Sequence, residues 1–166
     1  VTRDRFDAAN PQANRELLDH GTLYAARFEA DGTMRWLPLV HGEGPLTKAN
    51  GFENQGDVMI EARRAADLLG ATPMDRPEDV EPNPATGNVY VVCTFNERRQ
   101  SDQVNPANPR GPNRFGHIIE IIPPVVDGKP DQTAVTFRWE FFVMGGDPRN
   151  PEHRARLVIF GDDFSR

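Results

Sequence analysis

The charged stretch Asp75-Arg76-Pro77-Glu78-Asp79 contains the residue types in this sequence that are best suited to catalysis or ligand binding. Pro77 lacks a backbone N–H and pushes Arg76 into an extended conformation. Side chains two apart in an extended segment point to the same side, so we expect Arg76 and Glu78 together and Asp75, Pro77 and Asp79 opposite. A guanidinium can clamp two phosphate oxygens, while a nearby carboxylate holds a hard cation that polarises the same group. The pattern fits a phosphoryl-binding site.

A simpler interpretation explains the same residues. Arg76 and Glu78 would form an exposed ion pair, worth at most about 1 kcal/mol, in a turn that needs polar residues. Charge clusters usually belong to solvated surfaces. The residue types alone therefore favour a solvated turn over a site.

The remaining reactive residue types predict structural roles. Cys93 shares one side of a strand-like run with Val89 and Val91, which predicts a buried thiol rather than a nucleophile. No histidine has a metal-ligand partner four residues on, so structural roles are expected for His20, His41, His117 and His153.

Two loops contain further polar candidates. Arg110 and Arg114 lie among asparagines, in a loop that would be either an anion site or merely polar. Asp162 and Asp163 follow an apolar run and predict a solvated strand end.

The elements that position these residues are mostly short strands. Asp31-Gly32 accepts positive φ at both turn positions and predicts a hairpin with strands near 22–29 and 33–40. The later strands are expected in "VYVVCT", "GHIIEII", "AVTFRWEFFVM" and "ARLVIF". Short strands with turns at roughly ten-residue intervals are typical of sandwiches and propellers, so the predicted class is mainly β.

One helix is predicted over 57–69. Asp57 can cap it, and Gly70 can end it in the left-handed conformation. Its expected apolar face consists of Val58, Ala62, Ala65 and Leu69.

Composition limits the function classes. The chain has 166 residues and a net charge of −6, which gives its surface no bulk attraction for nucleic acid or anionic lipid. No apolar run approaches the roughly 20 residues that a membrane-spanning helix needs. A single cysteine excludes an internal disulfide. The chain starts without methionine and stops directly after a strand-like run, so we interpret it as a piece of a longer protein.

Four segments resemble, in matching order, the PhoX-type alkaline phosphatases. They are "LLDHGTLYAARFEADGTMRWLPL", "AADLLGATPMDRPEDVEPNPATGNVYVVCT", "NPRGPNRFGHIIEI" and "FRWEFFVMGGDP". The resemblance implies part of a β-propeller with one or two inserted helices. Residues 1–166 would be a partial phosphatase domain, incomplete at both ends.

The resemblance also implies an activity and its site residues. The family consists of bacterial enzymes that hydrolyse phosphate monoesters with iron and calcium ions, implying Ca²⁺ and Fe³⁺ as cofactors. The Asp-Arg-Pro-Glu motif would make Arg76 the catalytic, phosphate-binding residue and Glu78 a metal ligand. The implied location is periplasmic or extracellular, after export through a twin-arginine signal, and the full-length form is expected to be a monomer.

Departures from the family pattern keep alternatives open. Family members commonly have Thr-Asn-Asn where this chain has Thr94, Phe95 and Asn96, so a polar role there would fall to Asn96 alone. The family's other metal ligands, including a cysteine, come from segments outside this chain, and Cys93 does not match that cysteine. A non-catalytic propeller that binds partners, or another calcium-dependent propeller hydrolase such as a lactonase, would share the same scaffold.

Overall fold

The computed structural model of the protein describes residues 5–157, which divide between two compact units. The first unit contains the described residues up to Arg27 and Trp36–Ala71, and the second contains Phe28–Arg35 and the described residues from Thr72 onward. The strands are β1 Tyr24–Phe28, β2 Thr33–Pro38, β3 Pro77–Pro82, β4 Val89–Cys93, β5 His117–Ile122, β6 Val125–Val126, β7 Lys129–Pro130, β8 Thr136–Met144 and β9 Arg156–Leu157. The α-helices are α1 Gln55–Ile60 and α2 Ala62–Leu69, and short 3₁₀ helices cover Pro11–Asn14, Lys48–Asn50, Ser101–Gln103 and Pro151–His153.

The predicted hairpin joins β1 and β2, but its turn differs from the expected one. Gly32 has φ +83°, whereas Asp31 is not among the described non-glycine residues with positive φ. Glu29 N–H donates to the Thr33 carbonyl at 2.8 Å, and Gly32 N–H donates back to the Glu29 carbonyl at 3.2 Å. The loop therefore has three residues, with the left-handed position at its end, and the expectation of positive φ at both Asp31 and Gly32 was wrong.

The predicted helix exists as two shorter helices that meet at Glu61. α1 begins before the predicted start because Asn54, not Asp57, is the cap, and its side chain accepts hydrogen bonds from the N–H groups of Gly56 and Asp57. Glu61 has φ −100° and ψ 35°, outside the helical range, which divides the segment. The predicted end is confirmed, since Gly70 adopts the left-handed conformation.

The core of the first unit confirms the predicted apolar face of the helical segment. Val58 and Ala65 are fully buried, and Ala62 and Leu69 pack against the same cluster. The other buried members of this cluster are Leu39, Leu46 and Phe52. The spacing of the apolar residues thus predicted the buried face although the helix is interrupted.

The second unit is built on an antiparallel sheet. Its strand order is β2-β8-β5-β4-β3, and β9 also pairs with β8. Strand β5 alternates, with His117, Ile119 and Ile121 buried and the residues between them partly exposed. Its buried face belongs to a core that also contains Phe28, Met34, Cys93, Phe137, Trp139 and Met144. Trp139 meets Phe28 edge-on, with ring centroids 5.3 Å apart, and its indole N–H donates to the Glu29 carbonyl at 3.0 Å.

The mainly β class is confirmed, with some differences in detail. In strand β4 only Cys93 is fully buried, and the other four residues are partly buried. The last predicted strand is described only at Arg156–Leu157, and its remainder, like Asp162 and Asp163, lies outside the described residues. Among the described helices, none is long and apolar enough to cross a membrane.

Candidate phosphoryl-binding site

Pro77, Glu78 and Asp79 of the charged stretch begin the edge strand β3, and Asp75 and Arg76 directly precede it. β3 pairs antiparallel with β4, and Pro77 lies opposite Cys93 while Asp79 lies opposite Val92. Two residues of β4 therefore face three of β3, and Glu78 is the extra residue of a β-bulge. A bulge re-aims side chains relative to a regular strand. The geometry at Glu78 thus depends on this local irregularity.

Arg76 and Glu78 lie on the same side, as predicted. Arg76 Nη2 and Glu78 Oε1 are 3.1 Å apart, and the two side chains are 52% and 48% exposed. Thr94 Oγ1 donates to the same Glu78 oxygen at 3.3 Å, and Thr94 N–H donates to the Arg76 carbonyl at 3.2 Å. The pair is fixed to the end of β4 but remains accessible to a ligand.

Phe95 is the second neighbour of the Arg76 guanidinium. Arg76 Cζ lies over the Phe95 ring, 5.2 Å from its centroid. The Phe95 side chain is half-exposed. The sequence argument named Phe95 only as a departure from the family pattern and did not place it at the site.

Asp75 directly precedes Arg76 in the chain and is completely buried. Its carboxylate forms an ion pair with Arg99 Nε, and it accepts hydrogen bonds from Asn96 Nδ2 and Asn113 Nδ2, each at 2.9 Å. The backbone N–H of Asp75 donates to Asn108 Oδ1 at 2.6 Å. Burying a carboxylate is tolerated when it is both paired and hydrogen-bonded, as it is here. This network, named here the Asp75 cluster (Asp75, Asn96, Arg99, Asn108 and Asn113), fixes the backbone next to Arg76.

The expected shared side of Asp75, Pro77 and Asp79 was wrong. The bulge places Pro77 and Asp79 opposite consecutive β4 residues, which point to opposite faces. Asp79 is exposed, and its Oδ1 accepts from the neighbouring Val80 N–H at 2.9 Å. Side chains do not alternate regularly between the two faces here, because β3 has one residue more than the part of β4 with which it pairs.

The Asp75 cluster was largely missed from sequence. Asn96 was singled out, and its side chain is occupied by Asp75. Arg99 was not considered, although it is only 7% exposed and also donates to the carbonyls of Pro73 and Gln103. The available signal was the unusual density of asparagines between 96 and 113, which can satisfy a buried carboxylate without adding charge.

Arg110 connects three backbone segments of the second unit. Its terminal nitrogens donate to the carbonyls of Gly145, His153 and Gly116, and the residue is 7% exposed. Arg114 is exposed, with its Nε 3.9 Å from Glu97 Oε1. Both residues line a cavity of about 550 Å³ that is also lined by Glu152. Arg110 therefore secures the surrounding loops, while its Nε is buried without a hydrogen-bond partner among the described residues.

Two buried groups that titrate confirm the predicted structural roles. Burial, followed by the charge of Asp75, raises the pKa of the Cys93 thiol to about 12, so it is neutral rather than nucleophilic. Burial lowers the pKa of His117 to about 4, partly offset by Asp75, and its ring contacts Asn113 at 3.2 Å. Among the other described histidines, His41 Nε2 lies 2.9 Å from the Phe52 carbonyl.

Metal ligands are too few in the described residues. No group of three or more histidine, cysteine, aspartate or glutamate residues within 5–157 is arranged to hold a metal ion. Calcium takes six to eight oxygen ligands, so Glu78 with one carboxylate does not make a calcium site by itself. Glu78 can contribute at most part of a set of ligands.

The comparisons with known proteins identify the family of the chain. The family model described as alkaline phosphatase PhoX matches residues 1–165. Among solved structures, Pseudomonas fluorescens PhoX in complex with vanadate, a transition state analogue, is 41% identical, with a TM-score of 0.80. The match covers 90% of this chain and 27% of that chain, so the present chain spans about a quarter of its solved relative. No curated protein sequence matches. The chain belongs to the PhoX alkaline phosphatase family.

Proposed function

We propose that residues 1–166 are part of a longer, metal-dependent alkaline phosphatase that hydrolyses phosphate monoesters outside the cytoplasm. The observation that carries this proposal is the accessible Arg76–Glu78 pair at the start of the bulged edge strand, within a chain that belongs to a phosphatase family. The solved relative is in complex with vanadate, a transition state analogue. A propeller closed by further segments is the proposed fold of the whole protein.

Arg76 is the proposed phosphate-binding residue. Among the described residues it uses Nη2 for Glu78 and its Cζ face for Phe95, which leaves further N–H donors for phosphate oxygens. Charge on the equatorial oxygens of the phosphoryl group must be neutralised as the ester bond breaks. A guanidinium that is already positioned does this without reorganising in the transition state.

Glu78 is the proposed link to a cation. Its charge offsets that of Arg76, so the pair alone attracts a phosphate dianion only weakly. Another positive charge is needed at the site, and calcium held jointly by Glu78 and carboxylates from the rest of the protein would supply it and polarise the phosphoryl group. Iron is proposed to be bound by those other segments.

The proposal is tested on the purified full-length protein. We expect hydrolysis of p-nitrophenyl phosphate, inhibition by vanadate, loss of activity after exhaustive chelation and recovery when the metals are returned. Activity that survives complete chelation at neutral pH contradicts the metal-dependent mechanism. Hydrolysis of lactones without hydrolysis of phosphate monoesters would instead support a different propeller hydrolase.

A further inference from the structure

Phe95 lies beside the Arg76 guanidinium. It directly follows Thr94, whose hydroxyl contacts Glu78, and its half-exposed ring lies under the Arg76 guanidinium with Cζ 5.2 Å from the ring centroid. A guanidinium within about 6 Å of an aromatic centroid is attracted by the ring's quadrupole. Arg76 therefore has two different contacts: Nη2 forms an ion pair with Glu78, and Cζ lies over the Phe95 ring.

The two contacts restrain Arg76 in different ways. The Glu78 contact fixes Nη2 but lets the long side chain pivot about that point, and an exposed ion pair is a weak restraint. The Phe95 contact limits that pivot without consuming an N–H donor, because an aromatic face accepts the cation as a whole. A restrained guanidinium whose other N–H groups are still available loses less side-chain entropy on binding an anion than an unrestrained one does.

We propose that Phe95 is a positioning residue that holds the Arg76 guanidinium ready for a tetrahedral oxyanion such as phosphate. The inference rests on the proposed phosphate-binding role of Arg76. Phe95 acts through Arg76 and not on the reacting atoms. Its removal therefore weakens phosphate binding only while Arg76 is present.

The test is a double-mutant cycle on the full-length protein, with the affinity for inorganic phosphate measured by calorimetry. Phe95→Leu keeps an apolar side chain but removes the ring, and we expect a two- to fivefold weaker affinity, corresponding to about 0.5–1 kcal/mol. Phe95→Tyr keeps the ring and should bind phosphate as the parent does. Adding Phe95→Leu to Arg76→Ala should cause no further loss. Phe6→Leu makes the same change at an exposed phenylalanine outside the candidate site and should have no effect.

The outcomes test the role of Phe95 separately from the role of Arg76. An unchanged affinity in Phe95→Leu, an equal loss in Phe95→Tyr, or a loss that persists without Arg76 overturns the role of Phe95. If Arg76→Ala weakens phosphate binding while Phe95→Leu does not, the proposed function stands and only this inference fails. If Arg76→Ala itself leaves phosphate affinity unchanged, both the proposed phosphate-binding role and this inference fail. Calcium content should be equal in all variants, which separates the effect from metal loss.

Discussion

At the scale of single residues, the candidate site combines an accessible ion pair with a buried one. Arg76 and Glu78 are about half-exposed, whereas Asp75, the residue before Arg76, and its partner Arg99 are 0% and 7% exposed. An exposed pair contributes little to stability, but a buried pair is costly to break because one charge is left without compensation. The exposed pair is therefore available for function, and the buried pair holds the backbone that carries it.

The buried pair leads to a prediction about stability. Asp75→Asn removes the counter-charge of Arg99 and presents an amide N–H₂ group to the donors Asn96 and Asn113. We expect destabilisation of about 3–5 kcal/mol, seen as a lower midpoint in thermal melting of the full-length protein. Asp79→Asn is the matched control, since Asp79 is exposed and the change should stay within about 0.5 kcal/mol. Equal melting of the two variants would show that the Asp75 cluster is not a structural anchor.

His117 gives a pH-dependent prediction. Burial lowers its pKa to about 4 in the folded protein, whereas the unfolded chain takes up the proton near its ordinary value of 6.5. The unfolded state therefore binds more protons between these values, and stability is lost as pH falls from 6.5 to 4, by about 3 kcal/mol. His117→Asn removes the titrating group and should flatten that part of the pH–stability curve in chemical denaturation. Parallel curves for the parent and the variant would contradict the assignment.

At the scale of elements, the pairing of β3 with β4 positions Arg76 and Glu78 of the candidate site. The bulge at Glu78 and the contacts of Thr94 with both residues hold the ends of the two strands together. β3 is exposed along its whole length and has proline at both ends. Prolines suit an edge strand, because an edge residue can lack a ladder N–H without breaking the sheet.

The helical segment of the first unit yields a prediction about its cap. Asn54 accepts hydrogen bonds from two backbone N–H groups at the start of α1. Asn54→Ala should lower the stability of the protein by about 1 kcal/mol, whereas Asn54→Asp should be nearly neutral because aspartate caps as well as asparagine. The melting midpoints of the two variants provide the check. If alanine and aspartate are equally tolerated, Asn54 is not the effective cap.

The elements that the sequence predicted are those with strong local patterns. Strands β4, β5 and β8 were predicted from runs of apolar residues. The buried face of the helical segment was predicted from the helical spacing of its apolar residues. Strand β3 was recognised only as extended, because its acidic residues and prolines are typical of a turn and its pairing depends on β4. The burial of Asp75 was missed for a similar reason, since Arg99 and Asn113 lie 24 and 38 residues away along the chain. The residues around Asp75 do not identify partners so distant along the chain, and the only signal was the density of asparagines between 96 and 113.

At the scale of the whole molecule, the described chain holds part of a site. The motif fixes Arg76 and Glu78 with respect to each other, but within 5–157 no cluster of metal ligands accompanies them. The chain also spans 27% of its solved relative. Catalysis is therefore proposed as a property of the longer protein, in which other segments add ligands to Glu78.

This incompleteness predicts that residues 1–166 expressed alone neither hydrolyse phosphate monoesters nor fold stably. The strand edge at β3 would be open, and apolar side chains such as Val80 and Val125 are more than half exposed. Thermal melting and a phosphatase assay on the isolated chain provide the check. A monomer that melts cooperatively and is active would show that no further segment is required.

The account depends most directly on Arg76 and Glu78 having different functions in one site. The decisive measurement is kcat/KM for a phosphate monoester, with calcium content determined on the same samples of full-length Arg76→Ala and Glu78→Gln. Arg76→Ala should keep its calcium and lose about 10²–10³-fold in rate, because a preorganised donor to the phosphoryl group is gone. Glu78→Gln should lose calcium, and added calcium should restore part of its activity. Near-normal rates with full calcium in both variants would mean that the pair is only an exposed ion pair at the edge of a sheet.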